Sequence, residues 1–439
     1  MNPSVAEPKP VGLILSGGLA LGAFHAGLLK SLAEDSSIRV DAIAASSIGA
    51  FNAAIFAGNP PDKRAGMLDR FWKRLETDAL PEPWSRPFQS DLWHRLEGVT
   101  STLMTRIGGV PGLMRPAGLA MDKTGAGPGL YDPSPAVATL SEMVDFDLLN
   151  DGPVRVCICA TDVETGAPVI FDNKAGDRIG IEHVLASGAL LPNLPAVEVD
   201  GRLFADGGLS ANAPLEPFLS SERDLSIPRW LILADLFPAR GLRPRSLAAA
   251  SERANDLKYA TQTRVRLSGL IRERRLEATG EGSTQQGTDL LIVEHREPHE
   301  PSRMEKIFDF SRASLLRREG GGRKAATAVL NYIRGADPES PAGLRMHDLN
   351  ERSHISQEES MSNIEDRDDE AASNRGKAAE GGVGEVKGSG AGAGGGGNPE
   401  DYDVDAPGGS GVGTSGQSSP EPVEGDDDVV PPTEDSPKG

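Results

Sequence analysis

The chain has 439 residues, long enough for two average domains, and a formal net charge of −20. Glu351 to Gly439 holds 21 Asp+Glu against 6 Lys+Arg, so −15 of the charge sits there and only −5 on the preceding residues. The acidic balance is therefore a property of this end, and it gives no support for nucleic-acid binding, which wants a basic face. The acidic, glycine-rich end has too little apolar surface to offset chain entropy, so 351–439 is expected to be disordered.

Met1 to Pro10 shows no basic region followed by an apolar core, and no stretch offers about 18 uninterrupted apolar residues. The expectation is a cytoplasmic protein or one peripheral to a membrane, without signal peptide or transmembrane segment, export by a signal-independent route remaining open. Cys157 and Cys159 alternate along one strand face, too close to bridge readily and without further metal ligands nearby, so they read as buried filler.

In chain order, the apolar run Val11 to Ser16 stops at Gly17-Gly18, and Gly22 to Glu34 then carries Phe24, Leu28 and Leu32 at helical spacing. A second strand–turn–helix unit follows: Val40 to Ser46, Ser47 at the turn, and alanine-rich Ile48 to Phe56. Pro81 to Gly127 breaks the rhythm. There Trp84, Phe88, Trp93, Leu103, Met104, Ile107, Leu113 and Met114 alternate with Arg86, Arg95, Arg106 and Arg115, which suits a lid or lipid-facing surface or an irregular subdomain with its own small core. Further strands are expected at Val154 to Ala160, Val169 to Phe171, Trp230 to Ala234 and Leu290 to Val293. Leu247, Ala250, Ala254 and Leu257 recur at helical spacing before Arg264 to Arg275, a basic stretch that reads as a solvated helix face. Strands alternating with helices imply an α/β fold with a partly parallel central sheet and helices on both faces.

Three short segments carry chemistry. Ala45-Ser46-Ser47-Ile48-Gly49 joins a strand to a helix of small residues, the setting of a nucleophile elbow, although a serine there also serves as a helix N-cap. Ser16-Gly17-Gly18-Leu19-Ala20-Leu21-Gly22 can turn backbone amides toward an anion, either a nucleotide phosphate or the oxyanion of acyl transfer. The spacing is not Gly-x-Gly-x-x-Gly, there is no P-loop lysine, and no acidic residue ends a second strand about 20 residues on, which argues against nucleotides. Phe204-Ala205-Asp206-Gly207-Gly208 follows the hairpin-like run Val197 to Leu203 and can aim a carboxylate, or form an ordinary Asp-Gly turn.

Taken in this order, the glycine turn, elbow serine and Asp-Gly-Gly resemble the patatin-like phospholipases of bacterial type. Ala160 to Gly166 with Val169 to Phe171, Ala186 to Pro192, and Asn212-Ala213-Pro214 extend the resemblance over Pro10 to Phe218, and Phe308 to Ser314 is similar to a C-terminal extension in bacterial members. The resemblance implies a serine–aspartate dyad without histidine: Ser47 as nucleophile, Asp206 as proton acceptor, and Gly17 and Gly18 as oxyanion-hole amides. Gly22, Gly49, Gly207 and Gly208 support the motifs. His25 and His183 remain open as third members by distance.

The implied domains are a catalytic domain over 10–220 with a lid at 81–127, and a C-terminal α/β extension over 221–340 packed on it. The implied activity is acyl hydrolysis of phospholipid or neutral lipid esters, with no metal or cofactor, a lipid ester as partner, and a membrane surface as peripheral contact. The chain departs from the family pattern at Leu19, where a third glycine is usual, at Leu21, where a basic residue is usual, and at Ala45 in place of glycine. These departures point to the alternative of a catalytically impaired lipid-binding or scaffold protein on the same fold.

Overall fold

The computed structural model describes residues 7–77, 91–117, 128–220, 228–278, 287–296, 306–336 and 343–351. The expected disordered tail from 352 onward lies outside these residues, as do 78–90 and 118–127 of the expected lid. The chain divides into a unit from Met1 to Arg352 and a second from Ser353 to Gly439, the latter wholly outside the described residues.

The first unit runs β1 (Lys9–Leu15), α1 (Ala23–Glu34), β2 (Ile38–Ser46), α2 (Ile48–Ala57), α3 (Arg64–Arg74), α4 (Asp91–Gly108), β3 (Arg115–Pro116), β4 (Tyr131–Asp132), α5 (Ser134–Met143) and α6 (Phe146–Asp151). It continues with β5 (Arg155–Asp162), β6 (Pro168–Asp172), α7 (Ile181–Ser187), β7 (Val197–Val199), β8 (Arg202–Asp206) and α8 (Glu216–Leu219). Last come β9 (Trp230–Asp235), α9 (Leu247–Ala278), β10 (Thr288–Glu294), α10 (Arg312–Gly335) and β11 (Leu344–Asp348).

The large sheet has the order β11-β10-β9-β1-β2-β5-β8-β7, with β6 also on β5. The six strands from β11 to β5 are mutually parallel, and β6, β7 and β8 add antiparallel pairs. The fold is α/β with a partly parallel sheet. Strands drawn from 228–351 share this sheet with those before 220, because β9 pairs directly with β1.

Parallel strands covered on both faces need apolar residues at every position rather than every second one. Along β1, Leu13 and Leu15 enter one buried cluster with α1, α2, α3 and α10, while Ile14 enters another with α8 and α9. α1 and α10 approach so closely that a Cβ at Gly27 would lie 2.0 Å from Glu319 O, and one at Gly322 1.9 Å from Phe24 O. Gly27 of α1 and Gly322 of α10 therefore serve a helix crossing. Cys157 and Cys159 are buried and unbridged.

Helix α9 corrects one expectation. The basic stretch Arg264 to Arg275 is not simply a solvated face, since Arg264 pairs with buried Glu294, Arg266 pairs with Glu216, and Arg274 donates to Leu219 O (3.0 Å) and Phe218 O (3.2 Å). The apolar spacing at its start also misleads. Leu247 is 88% exposed and Leu257 43%, whereas Ala260, Thr263, Leu267 and Leu270 form the buried face.

Candidate active site

Loops at the carboxyl ends of parallel strands, where the chain leaves to either side of a central strand, are the usual place for a site in an open α/β sheet. β1 is such a strand, with β2 on one side and β9 on the other. All three sequence segments meet at this edge. Register explains how: Ser46 at the end of β2 pairs with Cys159, and the next residue on β5, Ala160, pairs with Asp206 at the end of β8.

Ser47 follows β2 as the N-cap residue of α2, with φ 55° and ψ −127°, and its side chain caps nothing. A non-glycine residue held there stores roughly 1–3 kcal/mol of strain, so the surroundings must over-determine it. They do so through main-chain contacts. Ser47 N donates to Ser187 Oγ (2.9 Å), Ser187 Oγ donates to Cys159 O (2.6 Å), and Ser46 Oγ donates to Ala211 O (2.7 Å). Helix α2 comes in tightly, as a Cβ at Gly49 would stand 2.6 Å from Leu15 O, while Ala45 is fully buried and tolerated.

Asp206 is 3% exposed and Ser47 5%. The Ser47 hydroxyl lies beside the Asp206 carboxylate and helps to hold its pKa down, and Gly208 N donates to Asp206 Oδ1 at 2.6 Å. Burial pushes the Asp206 carboxyl from 3.8 up to about 6, against the lowering effect of these two neighbours. The main chain of Asp206 is held as well, its N donating to Ala189 O (2.9 Å) and its O accepting from Thr161 Oγ1 (2.8 Å). Gly207 lies over β5, where a Cβ would be 2.3 Å from Cys159 O.

The glycine turn faces Ser47. A Cβ at Gly17 would lie 2.7 Å from Asn212 Oδ1 and 3.0 Å from Ser47 Cβ, so a side chain there would crowd the serine. One expectation needs correction here: Gly17 N donates to Asn212 O at 3.0 Å and is committed to holding the loop rather than free for an oxyanion. Among the described residues no acceptor meets Gly18 N or Leu19 N. Gly18 has φ 157° and Leu19 φ 48°, so a glycine at 19 would relieve a left-handed conformation that leucine adopts under strain. Leu21 is fully buried in the core, where a charged side chain would be costly. Gly22 closes the turn against Ile48, and its carbonyl accepts from Asn52 Nδ2 (3.2 Å).

Ser47 opens into an apolar cleft lined by Leu19, Ile48, Phe51, Leu113, Leu185 and Leu194 among others. Leu113 comes from the expected lid segment. In the same segment Leu103, Met104 and Ile107 on α4 are about half exposed or more. His25 and His183 are engaged elsewhere: His25 Nε2 donates to Ala234 O (3.2 Å), and His183 Nδ1 accepts from Gly180 N (2.9 Å). Burial holds His25 neutral, its pKa lowered to about 4. Among the described residues no group of three or more His, Cys, Asp or Glu side chains could hold a metal ion, and no helix is long and apolar enough to cross a membrane.

The sequence reading assigned no role to Ser187 or Asn212. Ser187 braces the elbow through its hydroxyl, and Asn212 joins the aspartate turn to the glycine turn through its main chain. Neither has a local signature, because each acts on backbone groups remote in the chain.

A strained serine at a strand-to-helix elbow, beside a buried aspartate at the carboxyl edge of a covered mixed sheet, defines an α/β protein with a candidate nucleophile site. Residues 13–219 match the model of the patatin-like phospholipase family. Among curated relatives, an uncharacterized NTE family protein of Mycobacterium tuberculosis is 25% identical over 238 residues, 54% of this chain and 53% of that protein. The human patatin-like phospholipase domain-containing protein 6 is 36% identical over 76 residues, 17% of this chain and 6% of that protein. The chain thus spans about half the length, or less, of these relatives. Among solved structures, human GIVD cytosolic phospholipase A2 shares 14% identity over 75% of this chain and 59% of that chain, with a TM-score of 0.36.

Proposed function

We propose that this protein hydrolyses carboxylic esters of lipids, phospholipid or neutral, with Ser47 as nucleophile and Asp206 as proton acceptor. The observation that carries the reading is the Ser47 hydroxyl, held at a strained elbow beside the buried Asp206 carboxylate, whose pKa burial has pushed up to about 6. A serine hydroxyl is a poor nucleophile until a base takes its proton. A carboxylate of ordinary pKa near 3.9 is a weak base at neutral pH, whereas one near 6 remains ionised at pH 7 and binds a proton about a hundredfold more tightly.

In acylation, Ser47 Oγ bonds to the ester carbonyl carbon as its proton passes to Asp206, and the carbonyl electron pair moves onto oxygen. Collapse of this tetrahedral species breaks the bond to the alcohol oxygen, which leaves with the proton from Asp206. Water then attacks acyl-Ser47 with Asp206 again as base, releasing the fatty acid and restoring the hydroxyl. The Gly18 and Leu19 amides are the candidate donors to the developing oxyanion, and the apolar cleft takes the acyl chain. The substrate would approach from a lipid surface or aggregate.

A fluorophosphonate probe should label the wild-type chain and fail to label Ser47→Ala; persistent labelling would remove Ser47 from its role. A second reading, a lipid-binding or scaffold protein of impaired activity, draws on the committed Gly17 amide and on leucine at a left-handed position. Liposome binding without fatty-acid release, by a chain unreactive toward the probe, would favour it.

A further inference from the structure

Helix α9 lies outside the residues that the family model matches, yet it reaches the turn that carries Asp206. Gln262 Oε1 accepts from Asn212 N at 2.7 Å, and Gln262 Nε2 donates to Leu209 O at 3.2 Å and to Gly208 O at 3.5 Å. One turn further along α9, Arg266 donates to Ser210 O at 3.2 Å. One turn earlier, Tyr259 lies close enough to Asp206 for the carboxylate's charge to add to burial in raising its phenol. Positions 259, 262 and 266 share one helix face, and that face follows the aspartate turn from Gly208 to Asn212.

These contacts fall on the backbone that aims the carboxylate. Gly208 N reaches Asp206 Oδ1, so the orientation of the peptide groups from 207 to 209 decides whether that hydrogen bond exists. Asn212 is gripped on both sides, its N by Gln262 and its O by Gly17 N. One carboxamide thus braces the aspartate turn directly and the glycine turn through a single residue.

We propose that Gln262 is a positioning residue of the active site, holding the Asp206 turn in the conformation in which Gly208 N–H meets the carboxylate and the carboxylate meets Ser47. The kinetic form of this claim rests on the hydrolase reading. Loss of the brace lets the turn rotate and weakens a hydrogen bond to the charged carboxylate, which raises its pKa. Gln262 touches none of the residues lining the cleft that receives the acyl chain, and only Leu19 there lies on a turn it braces, at one remove, so ground-state binding should change little. The titratable neighbours of Asp206 are Cys159 on β5, pushed up to about 12 by burial, and Tyr259 on α9, also raised, so both stay neutral through the useful pH range. The paired Arg266 and Glu216 lie beyond, next to Cys159.

The test compares the full chain with Gln262→Met, which keeps the length and loses every hydrogen bond, and Gln262→Glu, which keeps the acceptor for Asn212 N. On p-nitrophenyl butyrate, Gln262→Met should lower kcat roughly 10- to 100-fold, the scale of a misplacement near the reacting groups, with KM within about twofold and the acidic limb of the kcat profile at higher pH. Gln262→Glu should recover part of the lost kcat. Wild-type kcat in Gln262→Met overturns the proposal, as does a lower kcat with an unmoved acidic limb, a change confined to KM, or no recovery in Gln262→Glu. Amide hydrogen exchange separates this claim from the hydrolase reading. Gln262→Met should speed exchange at Asn212 about tenfold or more and leave β5 unchanged. Unchanged exchange at Asn212 sinks the brace whether or not the chain cleaves esters, and an inactive wild-type chain with faster exchange in the variant sinks the hydrolase reading alone.

Discussion

Replacing Asp206 by asparagine should abolish ester hydrolysis and, at pH 8, make the protein more stable. The carboxyl is 3% exposed and pushed from 3.8 to about 6, mainly by burial. The folded state therefore holds this proton more tightly than the unfolded chain. Between about pH 4 and 6 the folded carboxyl is protonated while the unfolded one is not, so the group's contribution to stability falls as pH rises through that window. A shift of about two units corresponds to about 3 kcal/mol, all of it destabilising above pH 6. Asparagine keeps the shape and an acceptor for Gly208 N without the charge. Urea unfolding should place Asp206→Asn about 1–3 kcal/mol above wild type at pH 8, with the difference shrinking toward zero near pH 4. Asp235, also raised by burial to about 7, and His25, lowered to about 4, titrate in both proteins and cancel in the comparison. In parallel, wild-type kcat/KM should rise about tenfold per pH unit below 6 and flatten above it. A variant less stable than wild type at pH 8, a pH-independent gap, or a flat rate profile from pH 5 to 7 would refute the argument.

Four further outcomes follow from single contacts. Ser47 sits at φ 55° and ψ −127°, so Ser47→Gly should be about 1 kcal/mol more stable than Ser47→Ala in urea, both being inactive; equal midpoints would mean that the elbow is unstrained. Gly17→Ala drives a Cβ to 2.7 Å from Asn212 Oδ1 and 3.0 Å from Ser47 Cβ, and kcat should fall about a hundredfold, as read by steady-state kinetics on a soluble ester. Ala136 lines the cleft, so Ala136→Trp should reduce turnover of long-chain p-nitrophenyl esters more than about tenfold while sparing the acetate; equal losses would place the acyl chain elsewhere. Gly322→Ala sets a Cβ 1.9 Å from Phe24 O and should lower unfolding free energy by about 1–3 kcal/mol without changing KM.

The parts of this molecule that could be read in advance are those whose signal is local. β1, β2 and α2 announce themselves as apolar runs interrupted by glycine or serine, and parallel strands buried on both faces have no alternation to confuse them. The turns that carry Ser47 and Asp206 are legible for the same reason, since the small neighbours in each follow from close backbone approach. Helix α9 was misread because charge was taken as a sign of solvent. Arg264 and Arg266 find Glu294 and Glu216, acids delivered by β10 and α8, and no helical periodicity reveals such partners. Gly17 failed as a free donor on similar grounds: glycine allows an amide to be presented, but Asn212 O, brought in by the aspartate turn, claims it. The residues that assemble the site act largely on main-chain groups, as in Ser187 to the Ser47 amide, Ser46 to Ala211 O, and Gln262 to the Asn212 amide. Every residue but proline offers the same main-chain N–H and C=O. A brace of this kind therefore leaves almost no trace in composition or spacing, and substitutions at Ser187, Asn212 and Gln262 probe it more sharply than further changes to Ser47 and Asp206.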